Sequence, residues 1–160
     1  MNIPFYKQLT DYNCGPASLQ MVFDYFNKHI RQKILQQSLH ASGARGTTHG
    51  ALIRKATREG FYCYVNNNST LFEIKHFLSM DLPVIVHFVE PSNNEGDYAV
   101  VAGYKKGILL FNDPWNGKGF PMPEKAFVRR WHDGDHISKR WIMVLTKENL
   151  HLGKQYLPKI

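Results

Sequence analysis

The sequence predicts an α+β domain in which helices come first and an antiparallel sheet follows. Two observations carry this. Between Gly15 and Glu59 apolar residues recur mostly at helical spacing. After Pro83 the period shortens, and the runs VIVHFV, DYAVVAGY, GILLFND and RWIMVLT are rich in β-branched and aromatic residues and bounded by Gly, Pro, Asn and Asp. Length sets the scale. At 160 residues and 43% hydrophobic content the chain suffices for one core and is short for two, so a single domain is expected over 1–160, its core over about 4–146. No repeat or linker divides it.

Each element has a local reason. Ala17, Leu19, Met21, Val22, Tyr25 and Phe26 define a first helix that begins near Cys14, where Pro16 suits the opening turn because its missing N–H is not needed there. A second helix is expected over 30–40, and a third from Thr47 to Glu59, ended by Gly60. FYCYV, Phe61 to Val65, reads as a short strand. Thr70 and Glu73 have capping-box spacing and open a fourth helix that runs to about Met80. The strands follow, with a short helix expected in PEKAFVRRW between the last two. Helices followed by a meander predict two layers.

Bulk properties narrow the function classes. The formal charge of +7 and pI near 9.4 favour anionic partners. The basic residues are scattered in ones and twos, as at Lys105, Arg129 and Lys139, without a stripe, so nucleic acid is not expected as a partner. Two cysteines, Cys14 and Cys63, form neither a disulfide framework nor a C-x-x-C pair, which points to a reducing compartment and to no metal or cofactor. The N-terminus lacks a basic region followed by an apolar run, and no segment approaches the ~20 apolar residues that cross a bilayer. A cytoplasmic location is expected, with export by a signal-independent route as the alternative. Oligomeric state is not legible.

Cys14 carries the chemistry. A thiol at a helix N-terminus faces unpaired backbone N–H groups and the positive end of the helix dipole, both of which favour the thiolate. From position alone two readings stay open, a nucleophile or an inert buried thiol. Cys63, alternating with aromatic and valine residues, reads as core packing. Gln8, six residues upstream of Cys14, is placed to donate its amide to an oxyanion formed when a thiolate attacks a carbonyl, beside the cysteine's own N–H.

The segment QLTDYNCGPASLQM resembles the active-site opening of the bacteriocin-processing, double-glycine-leader cysteine peptidases, a papain-like family. The likeness continues through GTTHGALIRKATREGFYCYV, LPVIVHFVE and DYAVVAGYKKGILLFNDPWNG, and covers roughly Gln8 to Trp141. It implies a papain-like fold, a peptide or protein substrate, Cys14 as nucleophile, Gln8 as oxyanion donor and Asp113 as the carboxylate that orients the base. At one position the match fails. The resemblance places a histidine base just before the aromatic residue of the YAVV strand, where this chain has Asp97.

That departure matters because imidazole, with a pKa near 6.5, both takes the thiol proton and protonates the leaving amine near neutrality. A carboxylate at Asp97 disfavours a second negative charge beside it, unless burial keeps it protonated. His87 is a candidate stand-in if Asp97 pairs near Val89, which would put the two side chains on one face of the hairpin. His49, in GTTHG, is a second candidate. Both also read as ordinary structural histidines. Asp113 lies in NDPWNG, a strong turn sequence that gives it a structural role with or without catalysis, and Trp115 reads as a lid or packing residue. His132, Asp133, Asp135 and His136 in WHDGDH look like a metal cluster on paper, but their short spacing argues for a solvated loop. The sequence thus leaves three readings: a thiol hydrolase acting through a Cys14 thioester, a degenerate peptidase-like domain that binds without cutting, and a deamidase or acyltransferase on the same nucleophile.

Overall fold

The computed structural model describes residues 1–133 and 139–159. His136 and Asp135 of the expected solvated loop lie outside them. Helix α1 spans Cys14–Tyr25, α2 Gln32–Ser38 and α3 His49–Arg58; strand β1, Tyr62–Asn66, and helix α4, Leu71–Ser79, follow. The sheet continues with β2 Val84–Val89, β3 Gly96–Lys105, β4 Ile108–Asp113 and β5 Gly117–Pro123. Helix α5, Glu124–Arg130, then leads to β6, Ile142–Thr146, and the two-residue β7, Gln155–Tyr156. All seven strands form one sheet in the order β5-β4-β3-β2-β6-β1-β7, with every pairing antiparallel.

Alternation along the strands divides the core in two. On one face Cys63, Ile85, Tyr98, Val100, Met143 and Leu145 pack with Leu19, Val22 and Phe23 of α1, Leu35 of α2 and Leu52 of α3. On the other, Val84, Val86, Phe88, Ala99, Val101, Phe111 and Val144 pack with Ile74 and Phe77 of α4 and Phe127 of α5. The sheet is therefore covered on both faces, one helical layer more than the element order predicts. Phe88, Phe111 and Phe127 form a ring cluster with centroids 5.3 to 5.9 Å apart. Truncating one of these rings to Ala should cost about 3–5 kcal/mol through lost burial and the cavity left behind.

As expected, Thr70 caps α4 through Glu73 N and Gly60 turns the chain with φ +93°; Thr48, one residue after the expected start, caps α3 through Ala51 N. The capping box at Thr70 is half made, because the Glu73 carboxylate accepts instead from Tyr64 Oη and Asn66 Nδ2. Strands β5 and β7 have no counterpart in the sequence reading. β5 is polar and glycine-bearing, and β7 has only two residues.

Candidate active site

Cys14 is the first residue of α1, half-buried where the helix meets the ends of β3 and β4. The segment before it is clamped from α2. Gln32, 4% exposed, accepts from Leu9 N at 2.8 Å and Asn13 Nδ2 at 3.2 Å and donates to Lys7 O at 3.0 Å. The clamp fixes Gln8, whose backbone N–H also donates to Pro114 O at 3.2 Å, tying it to the turn that carries Asp113. Gly15 permits a further close approach. A Cβ there would lie 2.7 Å from Thr47 Cβ, so the glycine lets the segment before α3 press against the start of α1, and Thr47 O is held in turn by Tyr98 Oη at 2.9 Å.

Three groups meet in series. The Cys14 thiol lies within electrostatic reach of the Asp97 carboxyl, and the Asp97 carboxyl within reach of Asp113. Asp113, fully buried, accepts at Oδ1 from Trp115 N (2.9 Å) and Asn116 N (3.2 Å) and at Oδ2 from Asn116 Nδ2 (3.0 Å). Asp97 is 3% exposed, and its Oδ2 finds no donor among the described residues. As a carboxylate that oxygen would be orphaned. As a carboxylic acid it has a proton to donate toward Asp113. The electrostatics agree. Burial first, then the Asp113 charge and the shared bond, push the Asp97 carboxyl well above its ordinary range, against the opposing bond from Cys14. On balance these effects favour the protonated form of Asp97.

The helix N-terminus does not win at Cys14. Burial raises the thiol, an ionised Asp97 raises it further, and the backbone bond from Tyr98 opposes them without reversing the shift. The resting thiol is neutral, contrary to the expectation from its position at the helix start. A partial charge of about half a unit at a helix end contributes 0.3–1 kcal/mol when exposed, less than the cost of burying an anion beside two carboxyls.

The structure brings Gln8, Cys14, Asp97 and Asp113 together and leaves His87 out. β2 and β3 pair with Phe88 opposite Asp97 and Tyr98 opposite His87, one residue from the register in which Asp97 falls near Val89. A one-residue slip moves a side chain to the other face. His87 accordingly stacks on Tyr98, with centroids 4.3 Å apart. Its Nδ1 lies 3.1 Å from His49 Nε2, and His49 stacks on Trp141 at 4.0 Å. Burial drives both imidazoles down to about 4, so the pair is neutral near pH 7. Neither imidazole lines the cleft in front of Cys14.

That cleft is bounded by Gln8, Asp11, Cys14, Glu90, Glu95, Asp97 and Trp115, among others. Among the described residues no group of three or more His, Cys, Asp or Glu is arranged to hold a metal ion. Sequence reasoning missed Gln32, Asn116 and Glu90. Asn116 had a signal, lying three residues after Asp113 in a turn sequence; Gln32, ahead of KILQQ, had none.

Residues 1–138 match the model of the Peptidase C39 like family. The chain belongs to that family. It is 30% identical over 129 residues to the transport/processing ATP-binding protein ComA of Streptococcus pneumoniae, covering 78% of this chain but 17% of that protein. Among solved structures this C39-like chain is similar to the peptidase domain of Streptococcus ComA, a bi-functional ABC transporter of a quorum-sensing pathway. The TM-score is 0.73 at 21% identity, with 92% of this chain and 100% of that one covered. It is also similar to a double-glycine-motif protease of an AMS/PCAT transporter in complex with a leader peptide. There the TM-score is 0.67 at 20% identity, with 90% and 91% covered. These likenesses confirm the papain-like fold. Among the described residues no helix is long and apolar enough to cross a membrane.

Proposed function

We infer that the Cys14 site takes a peptide in the manner of a papain-like cysteine peptidase, with Asp97, not an imidazole, handling the thiol proton. The observation that carries this reading is that Cys14, Asp97 and Gln8 line one cleft with Asp113 beside Asp97, an arrangement that suits a nucleophile, a proton acceptor, an oxyanion donor and an orienting group. In the ionised state Asp97 accepts the Sγ proton as sulfur attacks the carbonyl carbon. The oxyanion takes N–H bonds from Cys14, whose amide at the helix start has no intrahelical acceptor, and from Gln8 Nε2. One Gln8 amide hydrogen is held by Thr10 O at 2.7 Å, and the other remains for the oxyanion. Asp97 then returns its proton to the leaving nitrogen as the C–N bond breaks, and water releases the thioester.

Because Asp97 must lose its resting proton first, turnover rises with pH through the raised Asp97 titration. The neutral thiol makes acylation slow. The same neutrality favours a second reading, a peptide-binding site that does not cut. Both cysteines are free, which fits the reducing, cytoplasmic setting expected for a thiol site. Deamidation or acyl transfer would share the thioester and differ only in the acceptor.

Fluorogenic peptide amides and esters test these readings. Turnover abolished by Cys14→Ala and by Asp97→Asn, which keeps the donor and acceptor of the protonated acid, supports the first. Turnover undiminished in Asp97→Asn overturns the role of Asp97. Peptide that binds without forming an acyl-enzyme supports the second.

A further inference from the structure

We propose that the cleft in front of Cys14 recognises a cationic nitrogen of its peptide, so that the site selects for basic peptides although the protein as a whole is positively charged. The inference rests on the peptide-site reading above and names the ligand class. Four of the chain's 13 Asp and Glu side chains, Asp11, Glu90, Glu95 and the protonated Asp97, line this cleft, and none of its 20 Lys and Arg side chains does. Arg130, on the far side of the 90–95 loop, is occupied by Val89 O at 3.3 Å and Asn94 Oδ1 at 2.9 Å.

The negative charge is built in at Glu90. Burial would raise its carboxyl, but bonds from Ser92 Oγ, Asn93 N, Ser92 N and Asn116 Nδ2 prevail and hold it below its ordinary value. Asp11 and Glu95 stand exposed at the mouth. Trp115, 44% exposed and held by its Nε1 on Ser92 Oγ at 3.1 Å, adds an aromatic surface of the kind that attracts ammonium and guanidinium groups. An independent observation points to a donor ligand. Gln8, 9% exposed, lines the cleft with an Oε1 that has no hydrogen-bond partner. An N–H donor entering the cleft would satisfy that acceptor, and a cation would meet the exposed Glu95 in the field of the buried Glu90 as it did so. Low-dielectric walls focus such a field.

Two sources supply this chemistry, a Lys or Arg side chain and a free peptide N-terminus. Fluorescence anisotropy on the full chain separates them, using labelled peptides identical except for N-acetyl-Lys, N-acetyl-norleucine or N-acetyl-Glu at one position, and the norleucine peptide with a free N-terminus. A second readout compares mixed-disulfide formation at Cys14 by trimethylammonioethyl and sulfonatoethyl methanethiosulfonate with that of free cysteine. We expect a cation-to-anion rate ratio at least about tenfold above that of free cysteine, decreasing with salt and in Asp11→Asn/Glu95→Gln.

Tighter binding of the acetyl-Lys peptide than of acetyl-norleucine identifies the side chain, and a gain only on freeing the N-terminus identifies the terminal ammonium. Equal binding of all peptides, no binding of any, or a rate ratio equal to that of free cysteine overturns the proposal. Cation preference without acyl-enzyme removes hydrolysis and leaves this inference standing; turnover without cation preference does the reverse.

Discussion

At the residue scale the unusual feature is a carboxylic acid performing the hydrogen bonding of a neutral imidazole. Like imidazole it can accept from one neighbour while donating to another, and a proton on Asp97 would turn its unpartnered Oδ2 from an orphaned acceptor into a donor. It differs in basicity, because its ordinary pKa near 3.9 lies far below the thiol's. Replacing Asp97 with His should therefore raise Cys14 alkylation by iodoacetamide at pH 7, by about tenfold or more, general acid–base groups typically contributing 10²–10⁴-fold. No gain in a folded Asp97→His variant would show that burial alone, not Asp97, keeps the thiol neutral. The position was legible in the sequence, since Asp97 stood where the resemblance calls for an imidazole. What the sequence hid was its protonation state, which depends on burial and on Asp113, 16 positions away along the chain.

At the element scale the site is held by contacts between segments distant in sequence. Gly15 against Thr47 and Gln32 against the 7–13 loop fix the start of α1. Gly15→Ala would put a methyl group 2.7 Å from Thr47 Cβ, and it should lower stability by about 1–3 kcal/mol, read by urea denaturation. An unchanged midpoint would mean that the segment before α3 yields freely. Helix starts at Cys14 and Thr70 were readable, and that of α3 to within two residues, because caps and periodicity are local. The β2–β3 register was not. The loop Pro91 to Gly96 sets it, and Glu90 holds that loop through bonds to Ser92 and Asn93 that no pattern of apolar residues encodes. One residue of register separates a His87 facing Asp97 from the His87 found stacked on Tyr98.

For the whole molecule, the α+β order was legible and the third layer was not, because the apolar faces of α4 and α5 do not reveal which side of the sheet they cover. The two faces also bury groups that titrate in opposite senses. His49 and His87 have folded pKa values near 4 against 6.5 unfolded, so the stability they contribute is complete above pH 6.5 and is lost as pH falls through 4. Thermal unfolding should show a loss on the order of a few kcal/mol across that window, reduced in His87→Phe, which keeps a ring on Tyr98 without a titrating nitrogen. A flat profile would contradict burial of the pair. Asp97 acts the other way. Its raised folded pKa contributes stability that is complete below the ordinary carboxylate range and is lost as pH rises through the folded value. The claim on which the account turns is that this carboxyl carries the proton between Cys14 and Asp113. Carbon-13 NMR of aspartate-labelled protein, with the Asp97 Cγ resonance assigned by its absence in Asp97→Asn, measures it directly. The account predicts a titration midpoint well above the usual carboxylate range; a midpoint near 4 would mean an ionised Asp97 and would contradict it.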